Sequence, residues 1–212
     1  MVYFISGIDT NIGKTYGTAF LAKYLMSKGK KVITQKMIQT GCQETSEDIE
    51  MHRKLLGQET LPEDKEGLTC PYIFTFPCSP HLAAEIDHRI IDCNFIDQCT
   101  ERLLEKGYDT VLMEGAGGLM VPIMRDYLTI DFVAERKYPL VLVTGGRLGS
   151  INHTLMSLEM ARLKGIDVAY VIYNEYLEDD HKISQDTLEY TKKYLQTNFP
   201  KAELLLMGRE NN

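Results

Sequence analysis

Short apolar runs alternate along the chain with longer stretches in which apolar residues recur every three or four positions. The runs predict buried β-strands, and the longer stretches predict helices with one apolar face. The predicted strands lie near residues 2–6, 31–36, 110–113, 140–144, 168–173 and 203–206. The predicted helices lie near residues 14–27, 46–56, 79–87, 95–106, 130–136, 150–164 and 180–197.

Alternation of strands and helices is typical of a mostly parallel sheet with right-handed crossover connections. Most of the predicted strands are continuously apolar, as expected when helices cover both faces of a central sheet. The acidic and threonine-rich segment 57–69 is predicted to be a surface excursion. No linker, internal repeat or low-complexity tract divides the chain, so a single α/β domain spanning residues 1–212 is expected.

Composition supports a compact domain, since 44% of the residues are apolar and 25% are charged. No apolar stretch approaches the roughly 18 residues that a membrane helix needs. The first residues include Asp9 and lack the basic start of a secretory signal, so a cytoplasmic protein without membrane partners is expected. The short tail 208–212 offers no amphipathic basic helix.

The formal net charge of −7 argues against a nucleic-acid partner, because the phosphate backbone would be repelled. The five cysteines are odd in number and form no Cys-x-x-Cys pair, which favours reduced thiols. The five histidines are too scattered to supply a local pair of zinc ligands.

A glycine-rich loop follows the first predicted strand and opens the first predicted helix. It reads Gly7-Ile8-Asp9-Thr10-Asn11-Ile12-Gly13-Lys14-Thr15. Backbone N–H groups at such a helix start can bind phosphate, Lys14 can neutralise it, and the Thr15 hydroxyl can ligate magnesium. Five residues instead of the usual four separate Gly7 from Gly13. The alternative is a chance Gly-Lys-Thr sequence at a helix start, with a solvated lysine.

Ligands of open parallel sheets gather beyond the carboxyl ends of the strands. Polar or glycine residues follow five of the predicted strands at this edge. They are the residues of the first loop, then Lys36, Thr40 and Gly41, residues 114–118, residues 145–150, and Asn174. A cation that bridges phosphates commonly takes a hydroxyl and one or two carboxylates, so Thr15, Asp48 and Glu114 form a candidate magnesium set.

Each candidate has a structural alternative. Glu114 could be an ordinary rim carboxylate, and Asp48 could simply complement a helix N-terminus. Lys36 could extend its ammonium harmlessly to solvent instead of covering a ligand. The sequence Ser79-Pro80-His81 suits a helix start as well as a site, and Asn152-His153 favours a helix start.

Taken together, these motifs resemble the dethiobiotin synthetase family over about residues 2–174. The resemblance is carried by the first loop, residues 36–41, Ser79-Pro80-His81, Glu114-Gly115-Ala116-Gly117-Gly118 and Leu148-Gly149-Ser150-Ile151-Asn152-His153. It implies a P-loop NTPase fold and a homodimer. It also implies an ATP- and Mg²⁺-dependent ligase that inserts CO2 between the two amines of 7,8-diaminononanoate. The route would pass through a carbamate and a carbamoyl phosphate to the ureido ring, releasing ADP and phosphate.

The resemblance also implies roles for individual residues. Lys14 and Lys36 would be catalytic, and Thr15, Asp48 and Glu114 would hold magnesium. The substrate would contact Thr40 and, near the dimer interface, Leu148, Gly149 and Ser150. The nucleotide would contact Thr10, Asn11, Ile12, Gly13, Lys14, Thr15, Tyr16, Asp48, Glu114, Gly115, Ala116, Gly117, Asn174 and Glu175.

Two features depart from the family pattern. Members typically continue past the last strand into a proline-containing loop that frames the purine, whereas residues 204–209 here run almost at once to the terminus. We therefore predict poorer discrimination among ATP, GTP and CTP. The other departure is Lys36-Met37, where members commonly have Lys-Pro, which affects loop rigidity more than chemistry.

Two other classes share the first loop. Nucleotide-switched ATPases of the partition or cell-division positioning kind usually place a second lysine just after the first loop glycine, and Ile8 stands there. Amidation or ligation domains of the cobyrinic acid type are normally fused to a glutaminase domain, for which 212 residues are too few.

Overall fold

A six-stranded parallel sheet forms the centre of the computed structural model, which describes residues 1–177 and 180–208. Its strands are β1 Val2–Gly7, β2 Val32–Lys36, β5 Thr110–Glu114, β8 Leu140–Gly145, β9 Val168–Asn174 and β10 Glu203–Met207. They lie in the order β10-β9-β8-β1-β5-β2, and all are parallel. All six predicted strands are confirmed to within a residue or two. The tail beyond Gly208 lies outside the described residues.

Helices cover both faces of this sheet. They are α1 Lys14–Ser27, α2 Glu47–Leu56, α3 Pro62–Lys65, α4 Pro80–Ile86, α5 Cys93–Glu105, α6 Thr129–Arg136, α7 Ser150–Leu163 and α8 His181–Asn198. Among them, only α3 was not predicted. The helix α5 begins two residues earlier than predicted, because Asp92 accepts a hydrogen bond from the Asn94 N–H and caps the first turn.

Alternate residues of each central strand enter two separate apolar cores. In β8, Leu140 and Leu142 pack in one core, whereas Val141 and Val143 pack in the other. Side chains of a strand point alternately to opposite faces, so both faces of this sheet are buried. This explains why the strands read as continuous apolar runs. No helix within residues 1–177 and 180–208 has the length and apolarity to cross a membrane.

Residues 57–69 lie outside the central sheet and are partly exposed, as predicted, but the segment packs more closely than a surface loop. The segment contains α3, and its Asp64 receives two hydrogen bonds from the buried Arg53, at 2.9 and 2.8 Å. Leu68 and Thr69 are buried, and the Thr69 carbonyl accepts a 2.7 Å hydrogen bond from the Lys36 N–H. Asp64 thus pairs with an arginine of α2, and the Thr69 carbonyl fastens the segment to the end of β2.

Two small sheets were also missed. The strands β3 Gln39–Thr40 and β4 Ile73–Phe74 pair in parallel, and β6 Pro122–Met124 pairs antiparallel with β7 Tyr127–Leu128. Strands of two or three residues are too short to carry an alternating pattern. The first pair is nevertheless important, because it fixes Thr40 beside the carboxyl end of the central sheet.

Candidate functional site

The loop between β1 and α1 is shaped by two residues in left-handed conformation, Asn11 (φ 60°) and Gly13 (φ 93°). A Cβ atom on Gly13 would lie only 2.5 Å from Asn174 Nδ2, so a larger residue has no room there. The Asn174 amide donates a 3.0 Å hydrogen bond to the Ile12 carbonyl, which holds the loop against the end of β9.

Helix α1 begins directly behind this loop. Its N-cap is Gly13, which offers no side chain to bond the first-turn N–H groups, and such a helix start favours a bound anion. Lys14 is only 8% exposed, and its Nζ donates to the Asp9 carbonyl at 3.2 Å. Burial and the nearby charge of Lys36 lower the pKa of Lys14. An anion at this point would offset both effects.

Lys36 joins two carboxylates at the mouth of the loop. Its Nζ lies 2.7 Å from Asp48 Oδ2 and 2.9 Å from Glu114 Oε1. The Thr15 hydroxyl lies 2.8 Å from Asp48 Oδ1 and 3.3 Å from Glu114 Oε1. The structure therefore brings together Thr15, Asp48 and Glu114, the predicted magnesium set, and the alternative of a solvent-directed Lys36 is wrong.

The charges of this group stabilise one another. Burial alone would lower the pKa of Lys36, but the carboxylates of Glu114 and Asp48 outweigh burial and raise it. Burial would likewise raise the pKa of Glu114, yet the Lys36 ammonium and the hydrogen bond from His52 hold that pKa well below its usual range. Lys36 is thus a cation and Glu114 an anion at neutral pH.

Two further side chains lie behind Glu114, and sequence reasoning missed both. Thr18 Oγ1 is 2.9 Å and His52 Nε2 is 2.9 Å from Glu114 Oε2. Thr18 is four residues after Lys14, and His52 is four residues after Asp48. Because residues four apart share a helix face, this spacing from the predicted site residues was the available signal.

A cavity of about 800 Å³ opens beside these groups. The predicted residues that line it are Thr10, Asn11, Gly13, Lys14, Thr15, Tyr16, Lys36, Thr40, Asp48, Glu114, Ala116 and Gly117. Cys78, Ser79 and Pro80 line it as well, so the Ser79-Pro80-His81 sequence both starts α4 and borders the site. Ile12 is fully buried, and Gly115 contributes its carbonyl, which accepts from Lys36 Nζ at 3.1 Å.

A second cavity, of about 980 Å³, adjoins the first and shares Asn11, Gly13 and Tyr16 with it. Asn174 and Glu175 line this second cavity. The Asn174 side chain is already engaged, however, because its Oδ1 also accepts a 3.1 Å hydrogen bond from the Tyr176 N–H. Asn174 therefore shapes the wall of the cavity, with Nδ2 and Oδ1 both bonded to backbone groups.

The last three predicted substrate residues lie apart from the first cavity. Leu148 and Gly149 line a different cavity of about 720 Å³, and Ser150 is buried at the start of α7. The two regions are linked by one ion pair, in which Arg147 Nη2 lies 2.5 Å from Asp9 Oδ2. Within one chain, Thr40 therefore lies with the phosphate loop, whereas Leu148, Gly149 and Ser150 do not.

Comparison with known proteins agrees with this geometry. A family model described as an AAA domain matches residues 1–203. ATP-dependent dethiobiotin synthetase BioD 2 of Pasteurella multocida is 53% identical over 94% of this chain and 93% of its own length. The protein of the same name from Haemophilus ducreyi is 51% identical over 99% of each chain.

The chain belongs to the dethiobiotin synthetase family. This confirms the predicted family and the enzyme class, an ATP-dependent ligase. Among solved structures, the MinC:MinD cell division protein complex of Aquifex aeolicus has a TM-score of 0.54 at 17% identity, covering 99% of this chain and 82% of that chain. At this identity the likeness shows the P-loop NTPase fold alone, and it lends no support to a positioning ATPase.

Proposed function

We propose that this member of the dethiobiotin synthetase family closes the ureido ring of dethiobiotin from 7,8-diaminononanoate, CO2 and ATP, releasing ADP and phosphate. One amine of the diamine captures CO2 as a carbamate. The carbamate oxygen attacks the γ-phosphorus of ATP, giving a carbamoyl phosphate and ADP. The second amine then attacks the carbamoyl carbon, and phosphate leaves as the ring closes.

A single observation carries this proposal. The phosphate loop, two lysines and two carboxylates open into the same cavity as Thr40, so phosphate donor and amine substrate would meet in one space. Lys14 lies on the loop side, and Lys36 lies where Asp48 and Glu114 meet. Catalysis by positioning and by fixed positive charge suits phosphoryl transfer.

The donors present fit a magnesium ion. Thr15, Asp48 and Glu114 offer hard oxygen atoms, and Asp48 Oδ1 and Glu114 Oε1 both lie within hydrogen-bond distance of Thr15 Oγ1. Residues 1–177 and 180–208 contain no cluster of three or more His, Cys, Asp or Glu that could hold a metal. A cation here would therefore complete its shell with nucleotide phosphates and water. When bound, magnesium would neutralise negative charge on the nucleotide phosphates.

Lys36 is the residue best placed to act on the carbamate. Its ammonium is held by two carboxylates and by the Gly115 carbonyl, so it is oriented before substrate arrives. Such preorganised charge stabilises the carbamate and the transferring phosphoryl group without reorganisation during reaction. Cys78 also borders the cavity, but burial raises the pKa of its thiol. The proposed route needs no covalent enzyme nucleophile, because ATP itself activates the carbamate.

We further infer a cytoplasmic homodimer. The separation of Leu148, Gly149 and Ser150 from the first cavity supports the dimer, because a partner subunit could bring its own copy of this region to the substrate. Backbone N–H groups at the start of α7 would then bind the remote carboxylate of the diamine. Glu175 and the residues of the second cavity would border the nucleotide base.

The test is fixation of labelled bicarbonate into acid-stable product by the purified protein with 7,8-diaminononanoate, Mg²⁺ and ATP, each omitted in turn. Label should be retained only when all are present. The Lys36→Met variant should lose fixation, whereas Lys30→Met, at an exposed position, should keep it. ATP hydrolysis with no label fixed, whatever the diamine, would refute the proposed reaction.

A further inference from the structure

His52 is a fully buried histidine that does not line either cavity near the phosphate loop. It lies on α2, one helical turn after Asp48, and therefore on the same face of the helix. Asp48 faces the cavity, whereas His52 reaches behind Glu114, with Nε2 2.9 Å from Glu114 Oε2. One helix thus supplies one carboxylate of the candidate magnesium set and contacts the other.

The direction of this hydrogen bond is fixed by chemistry. An ionised carboxylate can only accept, so the hydrogen must be on His52 Nε2. His52 Nδ1 has no hydrogen-bond partner among the residues that the structure describes. The hydrogen bond that the ring makes through Nε2 therefore goes to Glu114.

Thr18 cannot replace this donor. Its hydroxyl lies 2.9 Å from Glu114 Oε2 and 2.8 Å from the Lys14 carbonyl, yet a hydroxyl has a single hydrogen to share between the two acceptors. His52 Nε2, by contrast, donates to Glu114 Oε2 without a competing acceptor. With Oε2 held from behind, Oε1 is the oxygen presented to Lys36 and Thr15.

We propose that His52 is a positioning residue, which orients the Glu114 carboxylate so that Oε1 faces the cation and Lys36. This inference rests on the magnesium site of the proposed function. It deepens that function by adding a residue that touches neither nucleotide nor diamine. Partners behind metal-binding carboxylates and histidines typically change metal affinity or activity by about 10- to 100-fold when they are removed.

The test compares three substitutions. His52→Leu removes the donor, and His52→Asn withdraws it by one bond. His52→Gln keeps an N–H at the same number of bonds from Cβ as Nε2. With ADP present, free Mn²⁺ measured by electron paramagnetic resonance gives the affinity of the cation. We expect His52→Leu and His52→Asn to weaken Mn²⁺ binding about tenfold, and His52→Gln to remain within about threefold of the parent.

A control variant separates positioning from general loosening. Leu103→Ala removes a buried side chain from α5, so it should lower the melting temperature but leave Mn²⁺ affinity unchanged. In the bicarbonate assay, the Mg²⁺ concentration at half-maximal rate should rise for His52→Leu, while the KM for the diamine stays within about twofold. The KM should hold because His52 does not border the cavity.

Two results would overturn the inference. One is a His52→Leu protein that binds Mn²⁺ as tightly as the parent, and the other is a His52→Gln protein as weak as His52→Asn. If His52→Leu does not fold, the difference in Mn²⁺ affinity between His52→Gln and His52→Asn tests the inference without it. A parent protein that binds Mn²⁺ with ADP but fixes no bicarbonate would refute the proposed reaction and leave the role of His52 intact.

Discussion

Removing one partner of the ion pair between Arg53 and Asp64 should be one of the most destabilising polar substitutions in this fold. The Arg53 guanidinium is 4% exposed and donates to both Asp64 oxygens and to Thr34 Oγ1 at 2.9 Å. The variant Arg53→Met would leave Asp64 with its charge, mostly buried and without a counter-ion. Breaking a buried pair in this way costs about 3–5 kcal/mol.

The expected shift in melting temperature follows from the chain length. An unfolding entropy of about 2.1 cal/mol/K per residue gives roughly 0.45 kcal/mol/K for 212 residues. A loss of about 3.5 kcal/mol then lowers the melting temperature by about 8 °C. Scanning calorimetry measures this directly, and a cycle with Asp64→Asn and the double variant isolates the pairwise coupling.

The chain provides a matched control in Arg102, which pairs with Glu66 at 3.3 Å while both side chains are well exposed. Exposed pairs contribute about 0–1 kcal/mol, so Arg102→Met should shift the melting temperature by about 2 °C or less. An Arg53→Met shift no larger than that of Arg102→Met would refute the reasoning, because the segment 57–69 would then be held by other contacts.

Three further predictions concern the site and its surroundings. Lys36→Met should reduce bicarbonate fixation by about 10²- to 10³-fold while changing ADP affinity, measured by calorimetry, much less; a rate above a tenth of the parent would contradict this. Gly13→Ala should abolish ATP binding, because its Cβ would press on Asn174 in a left-handed conformation (φ 93°); a binding constant equal to that of the parent in equilibrium dialysis would refute this. Burial would raise the pKa of Asp64, but hydrogen bonds from Arg53 and Thr69 outweigh burial and lower that pKa. The stability that the Asp64 carboxylate contributes is therefore complete above about pH 4 and is lost as pH falls through the folded pKa. The urea midpoints of the parent and of Asp64→Asn should approach each other as the pH is lowered, and a constant difference between them would exclude this linkage.

Selectivity among nucleotides stays a prediction of the sequence. Turnover and binding constants with ATP, GTP and CTP should be comparable, since rejecting a wrong base needs side-chain polar groups that are free to bond its edge. The Asn174 amide, which borders the second cavity, bonds both its nitrogen and its oxygen to backbone groups of the chain itself. Sharp preference for ATP would contradict this prediction.

The central sheet was predictable because its strands are continuous apolar runs that end at polar or glycine residues. The candidate site was predictable for a related reason, since ligand-binding residues of such folds follow the carboxyl ends of the strands. Lys36 and Glu114 are the last residues of adjacent strands, and they are partners in the sheet register.

Contacts between distant polar residues could not be predicted in the same way. Asp64 and Glu63 gave an acidic, surface-like pattern, yet Glu63 is 8% exposed and Asp64 pairs with an arginine on the preceding helix. His52 meets a carboxylate 62 positions away. An apolar pattern shows which face of an element is buried, but it does not show which buried polar groups will find one another.

Helix α2 illustrates what decides the geometry of this site. Its buried residues are Ile49, His52 and Arg53, so a single apolar side chain is buried with two polar ones. Apolar packing tolerates small shifts, whereas a hydrogen bond weakens steeply when its geometry changes. The contacts from His52 to Glu114 and from Arg53 to Asp64 therefore set where α2 docks, and with it the distance from Asp48 to Glu114. A site for a cation needs that distance held closely, which apolar burial of Ile49 alone would not ensure.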